Sequence, residues 1–368
     1  MEWKEDVLGN VLEVKYGKDH KKLADGQYPV YGSGGLMRYV DSILYDGPSI
    51  LIPRKGTLNN IMFVDSPFWT VDTMFWSIIN TDKVDPKFLF YSICKRDFAS
   101  MNVGSAVPSM TVNILNDIQI SYPKNISDQR RIASILSSLD RKIELNNKIN
   151  ADLEEMAQAI FKNWFVDFEP FKDSKFVDSE LGMIPEGWKV GGLFDIAEIF
   201  DKKRKPLSGN VREKMDKIYP YYGATSCMDY VDDYIFDGIY TLIGEDGSVV
   251  KENGLPYMQY VWGKMWVNNH AHILQGKNGY STEMIHALLS ITNIKFLVTG
   301  AVQAKLSQGN MQKILVAIPP KNVLDEIRPV IDNLYSKIRI NTDENSRLSL
   351  LRDTLLPRLM SGELEVPE

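Results

Sequence analysis

A helical seam written twice restricts the fold more than any other feature. Stepping by seven from Ile132 gives Ile132, Leu139, Asn146, Leu153 and Ile160, with Ile135, Leu136, Ile143, Ile149, Met156 and Ala157 filling the same stripe. Apolar residues at that spacing line one face of a helix. The pattern runs from about Ser127 to Trp164, with no Pro or Gly before Pro170. Ser127 is placed to cap it, and Asp128 suits the positive end of its dipole. Roughly 38 residues make a rod of about 55 Å, well beyond an ordinary globular helix.

The register returns 195 residues later, between about Asp325 and Met360, as Ile327, Leu334, Asn341, Leu348 and Leu355, with Val330, Ile331, Ile338 and Leu351 beside them. Lys142, Ile143, Asn146 and Asn150 reappear as Lys337, Ile338, Asn341 and Asn345. Two such seams bury themselves by packing together, and Asn146 and Asn341 are predicted to lie in that interface and set its register. Pro329 is expected in the first turn of the second helix, where it is tolerated, and Pro357 to end or kink it.

The rest of the chain is duplicated too. Tyr28 to Gly56 aligns without a gap on Tyr219 to Gly247, with 13 of 29 positions identical. Trp3 and Lys4 return as Trp188 and Lys189, Trp69 as Trp266, Ala106 and Val107 as Ala301 and Val302, and Pro123 as Pro319. Short β-branched and aromatic runs, Tyr28 to Tyr31, Met37 to Ile43, Ser49 to Pro53, Ile61 to Val64 and Ile118 to Tyr122, alternate with Gly and Asn turn signals; one helix is expected near Pro86 to Arg96. The fold class is therefore α+β: two similar mixed domains and two long helices packed as an antiparallel coiled coil with pseudo-twofold symmetry. The boundaries are 1–125 for the first domain, 126–171 for the first helical spacer, 172–186 for a linker, 187–320 for the second domain and 321–368 for the second spacer. The aromatic group Phe161, Trp164, Phe165, Phe168 and Phe171 is expected in the core at the first helix's end.

The formal charge of −6 excludes an indiscriminate binder of nucleic acid, which usually carries a strongly basic domain. Basic residues are bunched, however: Lys18, His20, Lys21 and Lys22 in one copy, and Lys202, Lys203, Arg204 and Lys205 in the other. Two cysteines give neither a disulfide framework nor a metal spacing, no apolar run is long enough to span a membrane, and no leader is expected, so a cytoplasmic setting follows. A domain duplicated on a rigid rod, its copies roughly 50 Å apart by the helix rise, implies the reading of two marks a fixed distance apart, and DNA is the obvious ruled substrate. The copies diverge where such reading would occur. Ser33, Gly34 and Gly35 face Ala224, Thr225 and Ser226, while Pro53, Arg54 and Lys55 face Gly244, Glu245 and Asp246. Arg and Lys suit guanine edges, whereas Asp and Glu accept from cytosine.

With these features in view, the chain resembles the specificity subunit of type I restriction-modification systems over nearly its whole length. The resemblance is carried by Asp128-Gln129-Arg130-Arg131-Ile132-Ala133 and the Leu139 to Asn147 continuation, by Phe161 to Phe168, by Gly244-Glu245-Asp246-Gly247, and by Leu355 to Leu364 with its Pro357-Arg358-Leu359-Met360-Ser361-Gly362. It implies a non-catalytic subunit whose two target-recognition domains each read one half of a split double-stranded DNA sequence. It also implies docking to two methyltransferase (modification) subunits and to restriction subunits, with S-adenosylmethionine, ATP and Mg needed in those partners and no cofactor in this chain.

The residues expected near DNA are Lys18, Lys21, Lys22, Lys202, Lys203 and Arg204 at phosphates, and Arg54, Lys55, Thr225, Ser226 and Asp246 near bases. Tyr31 and Tyr222 are assigned to the core. Leu139, Ile143, Asn146, Leu153, Leu334, Ile338, Asn341 and Leu348 form the spacer and partner-binding seam. No glycine-rich cofactor loop with an Asn-Pro-Pro-Tyr or Asp-Pro-Pro-Tyr motif occurs, nor a Walker loop. His270 and His272, and Glu245, Asp246 and Lys251, lack the supporting ligands or acids of a metal or nuclease centre. The rival reading is a non-catalytic coiled-coil scaffold with two protein- or glycan-binding domains, which would show no sequence preference and no salt slope. Inserting four residues after Asn146, with a matching insertion after Asn341, is expected to lengthen the preferred gap between DNA half-sites; an unchanged gap in the methylated motif would remove the ruler.

Overall fold

The computed structural model describes residues 1–104, 107–300 and 303–366, so Ala106, Ala301 and Val302 of the repeat lie outside the described residues. The chain divides into two compact units, Met1–Leu145 with Glu344–Glu368, and Asn146–Asp343. The division cuts across the two long helices, Ile126–Phe165 and Lys321–Met360, so each unit holds one globule and one segment of each helix.

In the first unit, strand Trp3–Val7 pairs antiparallel with Gln119–Pro123, which sets the chain's entry into the globule beside its exit to the helix. A four-stranded sheet runs in the order Leu12–Tyr16, Met74–Ile79, Pro48–Pro53, Met62–Asp65, and a three-stranded one in the order Gly35–Val40, Tyr28–Gly32, Trp69–Thr70. Strand Pro48–Pro53 is buried from Ser49 to Pro53, as its unbroken apolar run requires. Helix Pro86–Ile93 starts where Asp85 accepts a hydrogen bond from the Phe88 amide at 3.0 Å.

The core of this unit is not confined to the globule. Ile132, Ala133 and Leu136 of the first long helix and Leu356 and Leu359 of the second are buried with Ile50, Ile52, Phe75 and Phe88. The helix is held by its own opening turn. Gln129 is fully buried; its Oε1 accepts from the Asp85 amide at 2.7 Å while its Nε2 donates to the carbonyls of Pro123 at 2.8 Å and Lys83 at 3.2 Å. The cap is Asn125 rather than Ser127: the Ser127 amide and hydroxyl both donate to Asn125 Oδ1. The helix segments run antiparallel within the unit, since Arg352 donates to Asp140 at 2.7 Å and Lys142 pairs with Glu344 at 3.2 Å.

The second unit repeats the plan with a fuller sheet, in the order Ala197–Ile199, Ala271–Gly276, Phe236–Gly244, Met258–Val267, Tyr219–Tyr222, Cys227–Val231. Lys189–Gly192 pairs antiparallel with Leu315–Ile318, the counterpart of the closing pair in the first unit. Both copies place a short parallel pairing at the repeated tryptophan, Val30 with Trp69 and Tyr221 with Trp266, and both carry a register shift at the matching step, Val30/Tyr31 and Tyr221/Tyr222. The aromatic group is core as expected: Phe161 stacks on Phe165 at 4.4 Å, and Phe165, Phe168 and Phe171 surround Trp188. Three residues past the helix end, Phe168 opens the turn Glu169–Phe171 in the left-handed region, at φ 54°, a strain of about 1–2 kcal/mol offset by burying its ring. The expected linker is a short hairpin, Phe176–Val177 against Ile184–Pro185, because Ile184 is drawn into the core.

Asn146 and Asn341 are each 1% exposed, as the seam register predicts. Asn341 Nδ2 donates to Asn150 Oδ1 at 2.9 Å, and Asn150 Nδ2 donates to the Thr342 hydroxyl at 3.2 Å. Ile338 is buried, while Leu139, Ile143, Leu153, Leu334 and Leu348 are half-buried. Three assignments to the stripe are corrected: Met156, Val330 and Leu351 are 50%, 44% and 46% exposed. Each helix packs on a globule as well as on a helix, which turns the buried face away from a pure heptad; Tyr335, fully buried, takes part instead. The second helix begins at Lys321, so Pro329 lies in its body rather than its first turn, and the helix continues through Pro357 to Met360. No helix among the described residues is long and apolar enough to cross a membrane.

Gln129→Leu is expected to destabilise the chain by about 2–3 kcal/mol in denaturant unfolding, since it strands the Asp85 amide and two carbonyls in the interior. Met156→Ser should stay within about 0.5 kcal/mol.

Candidate nucleic-acid interface

The two basic runs are tied down by the same bond. The indole N–H of Trp69 donates to the Lys18 carbonyl at 3.0 Å, and that of Trp266 donates to the Lys205 carbonyl at 2.6 Å. Each tryptophan thus fixes a lysine-rich segment beside its sheet, a physical reason for its return in both copies. Lys18, Lys21 and Lys22 are exposed, and the Lys21 amide donates to Asp19 Oδ1, which turns the run back on itself. Lys202 and Lys203 are exposed as well, with Lys203 lying over the Phe200 ring at 5.0 Å.

Arg204 is different, and its expected phosphate contact is corrected. Its side chain is 12% exposed. One guanidinium nitrogen donates to Glu245 at 2.6 Å and to the Ala271 carbonyl at 2.8 Å, while Nε donates to the Asp201 carbonyl. Arg204 belongs to the frame under the loop. Asp201 in turn accepts from the Ile273 amide at 3.0 Å and Gln308 at 2.7 Å, and His272 Nδ1 lies 2.6 Å from it while Nε2 donates to the Leu306 carbonyl. Burial pushes the Asp201 carboxyl up, but the bonds and charge of His272, Arg204 and Gln308 outweigh it and hold the group below its ordinary value.

Asp201, Glu245 and His272 bring ligand-type atoms within 4.8 Å of one another, a composition that suits a metal. Arg204 already supplies the positive charge there, and both ring nitrogens of His272 are engaged. The network is therefore structural. It escaped the sequence because Asp201 and His272 lie far apart in the chain and a basic run discloses charge, not burial. His270 and His272 do not converge either: His270 faces Asp246.

The loops expected to read bases have one backbone design in both copies. The Arg54 amide donates to the Thr73 carbonyl, and the Glu245 amide to the His270 carbonyl, each at 2.8 Å. The Met110 amide donates to the Arg54 carbonyl as the Leu306 amide donates to the Glu245 carbonyl, and Gly56 to Pro108 as Gly247 to Ala304. Lys55 bridges Ser109 where Asp246 bridges Lys305. Gly56 and Gly247 close the two loops at positive φ, 89° and 77°, conformations that favour glycine. On this shared frame the side chains part. Arg54 lies over the Tyr16 ring at 5.4 Å and donates to the Asp72 carbonyl, while Glu245 is held by Arg204 and Lys305. Lys55 is exposed, and Asp246 faces His270.

Thr225 and Ser226 are exposed in the turn closed by the Gly223 amide on the Ser226 carbonyl, the counterpart of Ser33, Gly34 and Gly35. In both copies the Met sulfur, Met37 or Met228, rests against the preceding glycine, Gly32 or Gly223, where a Cβ would collide with it. Tyr31 and Tyr222 are half-buried against the cores, and burial pushes the Tyr222 hydroxyl up to about 12.

Arg204→Ala removes the guanidinium shared by buried Asp201 and half-buried Glu245 and is expected to cost about 3 kcal/mol in unfolding experiments, whereas Lys202→Ala should stay within about 0.5 kcal/mol. A carboxyl whose folded value is depressed stabilises the fold above its unfolded value and loses that contribution as pH falls through the folded one. Stability is therefore expected to fall below about pH 4, and Asp201→Asn to flatten that part of the profile.

The family model described as the type I restriction modification DNA specificity domain matches residues 1–155 and again residues 185–350. The chain is 28% identical over 383 residues to the MjaIX type I restriction enzyme specificity subunit of Methanocaldococcus jannaschii, covering 95% of this chain and 86% of that one. It is 23% identical to the HindI specificity subunit of Haemophilus influenzae, covering 82% and 83%. The crystal structure of a type I restriction-modification S subunit from M. genitalium shares the fold, at 17% identity and a TM-score of 0.63, covering 98% of this chain and 96% of that one. The twofold match of one family model coincides with the duplication in sequence, strand pairing and loop frame, and the chain belongs to the type I restriction-modification DNA specificity subunits.

Proposed function

We propose that each globule of this specificity subunit binds one half of a split double-stranded DNA target, and that the chain performs no chemistry itself. Lys18, Lys21, Lys22, Lys202 and Lys203 meet phosphates; Lys55, Thr225, Ser226 and Asp246 lie at base edges, and Arg54, expected among the latter, instead supports the first reading loop because it is drawn over Tyr16 and onto the Asp72 carbonyl. The observation that carries this is the shared loop frame with unlike side chains, Arg54-Lys55 against Glu245-Asp246, on one pattern of backbone hydrogen bonds. A fixed frame with variable outward groups is what two readers of different sequences need. Partners complete the system: two modification subunits using S-adenosylmethionine, and restriction subunits using ATP and Mg, in the cytoplasm.

The decisive experiment compares genomic methylation in cells expressing this chain with its modification subunit and in cells lacking this chain. A new methyladenine mark on a two-part motif with a fixed unread gap supports the assignment; a stable complex without a new mark favours the scaffold. Lys21→Glu with Lys22→Glu is expected to weaken DNA binding about equally for all sequences. It should also reduce the slope of log affinity against log salt by about one for each phosphate that is no longer neutralised.

A further inference from the structure

We infer that Lys55 and Asp246 are equivalent base-reading positions of opposite hydrogen-bond polarity, so that the first domain contacts a guanine acceptor edge and the second contacts an exocyclic amine. The inference rests on the assignment of the two globules to DNA half-sites.

The equivalence comes from the backbone. Residues 54–56 and 245–247 follow matching strands, are pinned by the same bonds from the 108–110 and 304–306 segments, and close on glycines at positive φ. Within each loop the neighbouring charge is engaged. Arg54 is drawn back over Tyr16 and onto the Asp72 carbonyl, and Glu245 is held between Arg204 and Lys305. Of the middle residues, Lys55 is exposed and Asp246 is half-buried beside His270.

In the first domain that residue is an ammonium, a donor only, which suits the N7 and O6 acceptors of guanine. In the second it is a carboxylate, an acceptor only. His270 Nδ1 lies 2.5 Å from Asp246 Oδ1, and because a carboxylate accepts, Nδ1–H donates. The imidazole thus holds the carboxylate in place, with side chains 47% and 22% exposed for His270 and Asp246, and leaves the other oxygen to accept an N–H. Cytosine N4 and adenine N6 offer that hydrogen in the major groove, whereas guanine O6 and thymine O4 would set one acceptor against another. That repulsion contributes to discrimination as much as the bond does. His270 is a positioning residue, and the first domain has Thr73 in its place.

The test uses the complex of this chain with its modification subunits and duplexes of its methylated motif in which single amines are deleted, adenine replaced by purine or cytosine by pyrimidin-2-one. One amine deletion in the second half-site is expected to weaken binding roughly 5- to 100-fold in the wild type. The same deletion should have no effect in Asp246→Ala, and a reduced one in His270→Ala that His270→Gln, which keeps a donor, restores. In the first half-site, 7-deazaguanine should weaken the wild type and not Lys55→Ala. If Asp246→Ala does not fold, Asp246→Asn decides: it must shrink the effect of that one deletion and leave the first half-site's preferences intact. A wild-type complex with no split-sequence preference removes the underlying assignment. A sequence-specific wild type whose amine-deletion effects are absent from the second half-site, or persist in the Asp246 variants, overturns this inference alone.

Discussion

Burial of the long helices' apolar faces is the constraint on which everything else rests. Each long helix spans 40 residues and carries such a stripe, and most helical stability in proteins comes from packing an amphipathic face. In the first unit Ile132, Leu136, Leu356 and Leu359 join the globule's core; in the second Phe161, Phe165, Ile327, Ile331 and Tyr335 do. Globule and helix segments therefore share the largest hydrophobic cluster of each unit. Gln129 shows how tightly: a side chain with three hydrogen bonds and no exposure fixes where the first helix leaves its globule.

Within that interior the duplication separates what holds the frame from what faces outward. Trp69 and Trp266, the register shifts beside Tyr31 and Tyr222, and Gly56 and Gly247 serve backbone geometry in both copies. The backbones of Lys55 and Asp246 belong to that frame, while their unlike side chains do not. The second unit adds a buried ionic network, Asp201, Arg204, Glu245 and His272, beneath its loop. Such a network holds together only while every member is present, because each charge is buried at the others' expense.

Much of this was legible in the sequence where a pattern has one physical cause. Period-seven spacing put Asn146 and Asn341 in the interface, and an ungapped alignment of Tyr28 to Gly56 with Tyr219 to Gly247 anticipated matching strands and loops. Patterns with competing causes misled. Asn125 and Ser127 are both good caps, and only geometry shows that Asn125 accepts both Ser127 donors. Met156, Val330 and Leu351 fit the heptad but face water, since a globule as well as a helix covers each long helix. Arg204 sits in a run of lysines and looks like them, yet a carboxylate 41 residues away in the chain claims it.

The pinned loop also governs how the molecule can change over time. Substitution at an outward position such as 55 disturbs no buried contact, and surface changes of that kind usually alter stability by less than about 0.5 kcal/mol, whereas loss of a buried network member costs several times more. Random mutation therefore reaches a new outward side chain well before it reaches an unfolded chain. With a separate loop frame in each copy, one half of the molecule can drift in what it presents while the other stays as it was, and neither has to sacrifice its fold.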